Sequence, residues 1–317
     1  MYTKNLFKRI STSLIILLLL FSEVVAQQIH VDSETLLRDV KILASDALEG
    51  RKTGTVGNKM AQVFILDRFK NLELKSFNST YRQTFRHVNP RTNEVFENAV
   101  NLIGYIEGSE NPEQFIVITA HYDHLGIQDG EIYNGADDNA SGVGGLLAAA
   151  SWFSENPPDK SLLIIAFDAE EQGLGGARYF VENPVVPLDQ IIMNINMDMI
   201  STNFDNELYA VGTYHYEHLK PIVINSTENA PVNVLFGHDS PDLPPGQDWT
   251  FSSDHGPFHQ KGIPFIYFGV EDHRHYHKPT DVFENINPEF YVNAVNTIIS
   301  FIRHIDKLPA QLIRHMD

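Results

Sequence analysis

The chain contains no cysteine in 317 residues. That excludes a disulfide framework, thiolate metal ligands and lipid attachment through an N-terminal cysteine, so stability has to come from a buried core. Positive charge is scarce too. Lys and Arg number 23 against 41 Asp and Glu, a net charge of −18. Phosphate binding needs clustered cations, so this balance argues against nucleic acid or an anionic membrane surface as a stable partner. Part of the acidity is open to neutralisation by bound cations. Several catalytic signatures are also missing. Gly142, Gly144 and Gly145 lack the spacing and the following Lys-Ser or Lys-Thr of a phosphate loop and do not fit the dinucleotide fingerprint. There is neither a G-x-S-x-G elbow nor an H-E-x-x-H helix.

Long apolar runs are confined to the N-terminus, where Lys4, Lys8 and Arg9 precede Leu14 to Phe21. That run is short for a bilayer span and is followed by small residues, Val24 and Ala26, at the minus three and minus one positions. Residues 1–26 therefore read as a cleaved signal peptide and the protein as exported, periplasmic or secreted; a retained anchor helix is the alternative. No repeat, low-complexity tract or Pro/Gly/Ser linker divides residues 27–317, which read as one domain.

What the sequence does contain is a recurring arrangement of an apolar run followed by ligand-type side chains. Phe115 to Ala120 leads into His121, Asp123 and His124, with Asp137 and Asp138 shortly after. Leu162 to Phe167 ends in Asp168, Glu170 and Glu171; Ile191 to Asn196 ends in Asp198; Pro264 to Gly269 leads into Glu271, Asp272, His273, His275 and His277. Short continuous apolar runs are the pattern of strands buried on both faces. In open α/β sheets, sites form beyond the carboxyl ends of such strands. Oxygen and nitrogen donors without sulfur suit a catalytic zinc or a similar divalent ion.

Between these runs, a helix is expected from a Ser33 cap to about Ala44, with Leu36, Leu37, Val40 and Leu43 on one side, and a second over about Asn58 to Asn71. Residues 72–97 suit edge strands and connections. Val100 to Glu107 and Phe115 to Ala120, joined by GSENPEQ, look like a hairpin. A helix with a small-residue face is expected from Ser141 to about Ser154, ended by Pro157 and Pro158. Glu49 and Arg51, in a Gly-punctuated loop, read as a solvated pair. The predicted fold is α/β, a single domain whose mixed, largely parallel central sheet is sandwiched by helices.

His121 and Asp123 share one side of an extended segment, so Asp123 is placed to accept from the second ring nitrogen of a metal-bound His121. Asp137 and Asp138, or Glu170 and Glu171, are adjacent and cannot both point at one ion, which leaves one ligand in each pair. Alternation leaves His273, His275 and His277 all open as ligands.

Six segments carry a more specific resemblance: AHYDHLG (Ala120 to Gly126), NGADDNASGV (Asn134 to Val143), DAEEQGLGG (Asp168 to Gly176), INMDM (Ile195 to Met199), SSDHGPF (Ser252 to Phe258) and YHKPTD (Tyr276 to Asp281). In order and across most of residues 27–317, they resemble metallopeptidase family 28, exported zinc aminopeptidases with a paired-metal site together with glutaminyl cyclases. LASDALEGRKTG resembles single-domain bacterial members. The resemblance implies a zinc-peptidase, phosphorylase/hydrolase-like fold and two Zn2+ ions. It assigns Asp138 as bridging ligand, His121 and Asp198 to one ion, Glu171 and His277 to the other, and Glu170 as general base. Asp137 then stands behind the ligands, and Asp254 and His255 fall in the family's substrate-pocket segment. The implied activity is removal of N-terminal residues from peptides with a free amino terminus. A glutaminyl cyclase on the same fold and a non-catalytic binding or receptor domain are the alternatives. The intact DDNASG segment favours the peptidase over the first, and the complete ligand set speaks against the second.

Overall fold

A computed structural model describes residues 29–314. The signal-peptide reading of residues 1–26 lies outside them. Within them, residues 31–314 belong to one compact unit. It opens with α1 (Ser33–Leu43) and α2 (Val56–Asn71), followed by β1 (Arg82–Val88), β2 (Val95–Ile106) and β3 (Asn111–His121). A small ribbon of β4 (Gly126–Gln128) and β5 (Glu131–Tyr133) leads to an irregular turn, Ala136–Ser141, and α3 (Gly142–Glu155). Then come β6 (Lys160–Phe167), α4 (Gly175–Glu182), β7 (Ile191–Met197), β8 (Glu207–Val211), α5 (Lys220–Thr227) and β9 (Asn233–Leu235). The chain closes with α6 (His255–Gln260), β10 (Phe265–Gly269), α7 (Pro288–Lys307) and α8 (Ala310–Arg314). Among the described residues, no helix is long and apolar enough to cross a membrane.

Eight strands form a mixed sheet in the order β1-β2-β6-β3-β7-β10-β8-β9. Its centre, β6-β3-β7-β10, is parallel, with antiparallel strands joined to either side. All eight residues of β6 and all seven of β7 are buried, which is why they read as mainly apolar runs rather than alternating ones; the two asparagines of β7, Asn194 and Asn196, are paired with the Thr119 hydroxyl of β3. Val117, Leu163, Ile165 and Phe167 meet Phe180 of α4 and Phe258 of α6. The residues between them turn to the other face by the period of two. There α3 packs on β3, β6 and β7, with α1 and α7 behind it. A Cβ on Gly144 would run into the hydroxyl of Tyr291 on α7 and lie 2.9 Å from Val40 of α1, so the small-residue face of α3 is what brings these helices together.

The structure departs from the sequence reading at three places. β2 and β3 are not a hairpin, because β6 lies between them, antiparallel to β2 and parallel to β3. Their connection crosses the start of β6: Ser109 and Glu110 donate backbone bonds to the carbonyls of Pro158 and Asp159, and Gly108 to the Ser161 hydroxyl. The apolar β6 gains a partner on each edge this way. Second, α1 is capped by Asp32, not Ser33. The Asp32 carboxylate accepts from the backbone of Glu34 at 3.1 Å and Thr35 at 3.2 Å. Third, Glu49 and Arg51 are not a solvated pair. Glu49 is exposed, but Arg51 is fully buried and spends its guanidinium on four carbonyl oxygens, those of Leu43, Tyr122, Asn134 and Gly135.

Candidate metal centre

The parallel strands all end at one edge, and the side chains just past their ends converge there. His121 closes β3 with its ring almost wholly buried. Its Nε2 lies 3.3 Å from Asp198 Oδ1, past the end of β7, and 3.4 Å from Asp138 Oδ1, in the turn before α3. The other oxygen of Asp138, Oδ2, is 3.0 Å from Nε2 of His277, which in turn lies 3.6 Å from Glu171 Oε1, past the end of β6. Asp138 therefore stands between two groups, one at each of its oxygens. The turn carrying it is held by Asp281, whose carboxylate accepts from the backbone of Asp137 and Asp138 at 2.9–3.2 Å.

Each adjacent pair divides as geometry requires. Asp137 points away: Oδ1 accepts from the backbone and hydroxyl of Ser201, both at 2.7 Å, and Oδ2 lies 2.9 Å from His273 Nε2. His273 is thereby occupied, and His275 faces Thr280 and Arg274 at the surface. Of the three histidines left open by alternation, only His277 meets Asp138 and Glu171. Glu171 sits between imidazoles, while Glu170 faces the cavity above. Asp168 has no part in the centre. It is buried under donors from Thr53, Asn58, Val100 and Ala169.

Asp123 occupies a slightly different place from the expected one. His121 Nδ1 lies 3.1 Å from the backbone carbonyl of Asp123 and 3.8 Å from its carboxylate. The carboxylate instead accepts from the Glu170 backbone at 3.0 Å and lies 3.3 Å from the Thr53 hydroxyl, whose proton goes to Asp168. Asp123 thus ties the β3 end to the β6 end. Asp254 and His255, expected in the substrate pocket, are fully buried and stand behind the residues that line the cavity. His255 Nε2 meets the carbonyl of Trp249 at 2.8 Å, and burial pulls this imidazole down to about 4. Burial pushes Asp254 up to about 7, opposed by His121 and assisted by Asp198.

One residue in the cluster was passed over as a ligand. His124 is fully buried; its Nδ1 lies 2.7 Å from Glu171 Oε1 and 3.8 Å from Asp138 Oδ2. Neither ring nitrogen makes a well-directed hydrogen bond, and Glu171 Oε1 is likewise without one. The sequence signal was there, in HYDH itself, but H-x-D explained the first three residues and left the fourth unused.

These atoms fit divalent cations. His121, Asp138 and Asp198 form one group of donors and His124, Asp138 and Glu171 another, each with its ligand atoms within 4.8 Å of one another. Burying several carboxylates together is costly without compensating charge. The buried cation nearby, Arg51, directs its donors to backbone carbonyls. Imidazole and carboxylate donors with no sulfur suit zinc. Histidine contacts already act as partial surrogates: burial raises Glu171, but the nearby imidazoles of His124 and His277 outweigh it and hold the carboxyl well below its usual range. Burial lowers His277, yet Asp138 and Glu171 carry it up to about 10.

Above the centre lies a cavity of about 480 Å³. Glu170, Glu171, Asp138 and Asp198 form its floor; Trp249, Phe251, Tyr267 and Tyr276 line one part of the wall, and Pro90, Arg91 and Arg178 another. Trp249 is held by His238, stacked on it at 3.8 Å between ring centroids.

The family model of Peptidase family M28 matches residues 101–302, most of the chain and every one of these strand ends. The chain belongs to peptidase family M28. This M28 chain is 33% identical over 207 residues to the aminopeptidase YwaD of Bacillus subtilis, a match covering 62% of the chain and 42% of that relative, so it spans less than half of the longer protein. Its fold is similar to that of a glutaminyl cyclase from Porphyromonas gingivalis, with TM-score 0.71 and 18% identity over 86% of this chain and 98% of that one. A zinc aminopeptidase from Bacillus subtilis is similarly placed, with TM-score 0.67 and 18% identity over 90% and 98%. At such identities the two structures speak for the fold, which is the mixed sheet between helices that the strand and helix pattern predicts.

Proposed function

We propose that this M28 chain is an exported aminopeptidase that holds two zinc ions and hydrolyses the first peptide bond of peptides with a free amino terminus. The observation that carries this is Asp138, whose two oxygens face different groups of nitrogen and oxygen donors. His121 and Asp198 would hold one ion, Glu171 and His277 the other, and Asp138 both. Bound there, paired metals supply a water of lowered pKa and polarise a carbonyl oxygen.

The remaining chemistry falls to the chain itself. Glu170 lines the cavity beside Glu171 without belonging to either donor group. Burial raises its carboxyl well above the usual range; His121 opposes this, while Glu171, Asp198 and Asp254 add to it. A carboxylate with heightened proton affinity at a cavity floor suits a general base that takes the proton of the attacking water and passes it to the leaving amine. Asp123, through its bond from the Glu170 backbone and its carbonyl beside His121 Nδ1, keeps base and ligand in register. Asp254 and His255 act through the wall, His255 by fixing the Trp249 carbonyl.

The test uses residues 27–317 loaded with zinc. A panel of aminoacyl-anilides, their N-acetylated counterparts and an N-terminal glutaminyl peptide is assayed with products identified by mass, alongside zinc content. Two zinc ions per chain with hydrolysis restricted to free amines is the expected result. One zinc with ring closure of the glutaminyl peptide would assign the chain to the cyclases. Metal binding with no turnover would leave a binding domain, and internal cleavage of blocked peptides would contradict an aminopeptidase outright.

A further inference from the structure

We infer that Arg91 and Arg178 form a carboxylate-binding subsite on the leaving-group side of the cavity, so that the preferred substrates are di- and tripeptides whose free C-terminal carboxylate the two guanidiniums hold. This rests on the peptidase function proposed above and specifies its substrate class. Some arginines of this acidic chain are paired with carboxylates, Arg68 with Asp39 and Arg86 with Glu97. Arg91 and Arg178 line the cavity, and among the described residues no carboxylate lies within ion-pair distance of either. Arg178 Nε donates to the carbonyl of Gly173 at 3.1 Å, which seats that guanidinium at the rim and leaves its terminal nitrogens for a ligand.

The rim carrying them is built and fastened to the catalytic loop. Arg91 lies in the turn between β1 and β2, where the Asn89 side chain accepts from the backbone of Arg91 at 2.8 Å and Thr92 at 3.1 Å. The same Asn89 donates to the Gln172 side chain at 3.0 Å, and His87 Nε2 meets the Gln172 carbonyl at 2.8 Å. Gln172 directly follows the Glu170-Glu171 pair, so the turn is indexed to the base. Pro90 closes over Gly173, where φ is +101° and a Cβ would come within 2.9 Å of the proline ring. Turn, loop and α4 therefore make one wall, and Arg91 and Arg178 stand on it together.

Direction follows from the chemistry. If Glu170 returns its proton to the leaving amine, the departing peptide lies on Glu170's side, the side of this wall. The aromatic part of the wall, with Trp249, Phe251 and Tyr276, is left for the first residue's side chain. Arginine forks favour carboxylates bidentately. A cavity of about 480 Å³ is of the size that encloses a small ligand.

The test compares kcat/KM for X-Ala, X-Ala-NH2 and X-Glu-NH2, X being the residue best accepted in the anilide panel, in the wild type and in Arg91→Ala, Arg178→Ala and the double variant. Within each protein the acid-to-amide ratio is read, so that losses of metal or fold cancel, and melting temperature and zinc content are recorded alongside. The expected wild-type ratio of X-Ala to X-Ala-NH2 is about 10–100, the worth of a charge-assisted bond, falling toward one in the double variant. X-Glu-NH2 rising to match X-Ala would transfer the same arginine–carboxylate recognition to an acidic second side chain. A wild-type ratio near one for both carboxylates, or a ratio that survives the double substitution, overturns the subsite while leaving the aminopeptidase intact. Failure of every anilide and peptide to turn over would instead sink the aminopeptidase itself.

Discussion

Replacing Arg51 by Lys keeps the charge and removes the fork. The guanidinium reaches Tyr122 O through Nε at 2.9 Å, Leu43 O and Asn134 O through Nη1 at 2.6 Å each, and Gly135 O through Nη2 at 3.0 Å. A single ammonium cannot serve carbonyls spread around three nitrogens, so at least two are left without a donor in a fully buried place. An unpaired buried carbonyl costs about 1–3 kcal/mol, so two cost about 2–6 kcal/mol. That is a large share of the roughly 5–15 kcal/mol that stabilises an ordinary fold. At about 2–4 °C per kcal/mol for a domain of 150–250 residues, a loss near 4 kcal/mol lowers Tm by about 8–16 °C, somewhat less for this longer chain. Burial pulls Arg51 down to about 10, with Asp138, Asp281, Asp123 and Glu171 pulling it back, so the wild-type side chain is a cation at neutral pH. The damage should reach the metal centre as well. Tyr122 O lies between His121 and Asp123, and Asn134 and Gly135 lead directly into Asp137 and Asp138, so Arg51 binds the two ligand-bearing segments to each other. Urea unfolding of metal-free Arg51→Lys, followed by zinc titration, measures both effects. The exposed neighbour supplies the control: Glu49→Gln should stay within about 0.5 kcal/mol of wild type. If Arg51→Lys proves as stable as Glu49→Gln and binds zinc equally well, the four bonds do not hold the centre together.

Glu170→Gln keeps shape but cannot take a proton, so turnover should fall by roughly 10²–10⁴-fold with zinc retained; Glu171→Gln should lose zinc instead, and the reverse pattern in metal analysis would shift the assignment by one residue. Asp138→Asn, which weakens the donor shared by both groups, should reduce zinc content at both positions, whereas Asp198→Asn should mainly weaken one, as counted by metal analysis after dialysis. His124→Ala should lower zinc affinity about 10–100-fold, the range for a group supporting a ligand; unchanged affinity by competition with a chelator would make this imidazole a packing element only. His255 titrates near 6.5 when unfolded but is held to about 4 when folded. Its contribution is thus complete above pH 6.5 and is lost as pH falls through that window, reaching about 3 kcal/mol. Metal-free His255→Asn should lose stability less steeply than wild type between pH 6.5 and 4, and parallel curves would show that His255 is not a source of acid sensitivity.

The sequence by itself determined the fold class, because a strand buried on both faces has to be apolar along most of its length and such runs stand out at Phe115, Leu162, Ile191 and Pro264. It also determined where the ligand-type side chains lie, since they follow those runs at the point where backbone pairing stops. Adjacency alone divided Glu170 from Glu171, as neighbouring side chains diverge whatever the fold. Only the tertiary structure decided the rest. The place of β6 between β2 and β3 depends on a crossing connection, and no local pattern distinguishes that from a hairpin. The burial of Arg51 arises because segments around residues 43, 122 and 134 present carbonyls to one point, and a loop arginine looks the same in sequence whether it faces water or that point. His273 and His277 share the same alternation, yet Asp137, turned away by Ser201, engages the first and Asp138 the second. Local pattern reports what each segment needs to bury; which distant segment meets that need is a property of the assembled chain.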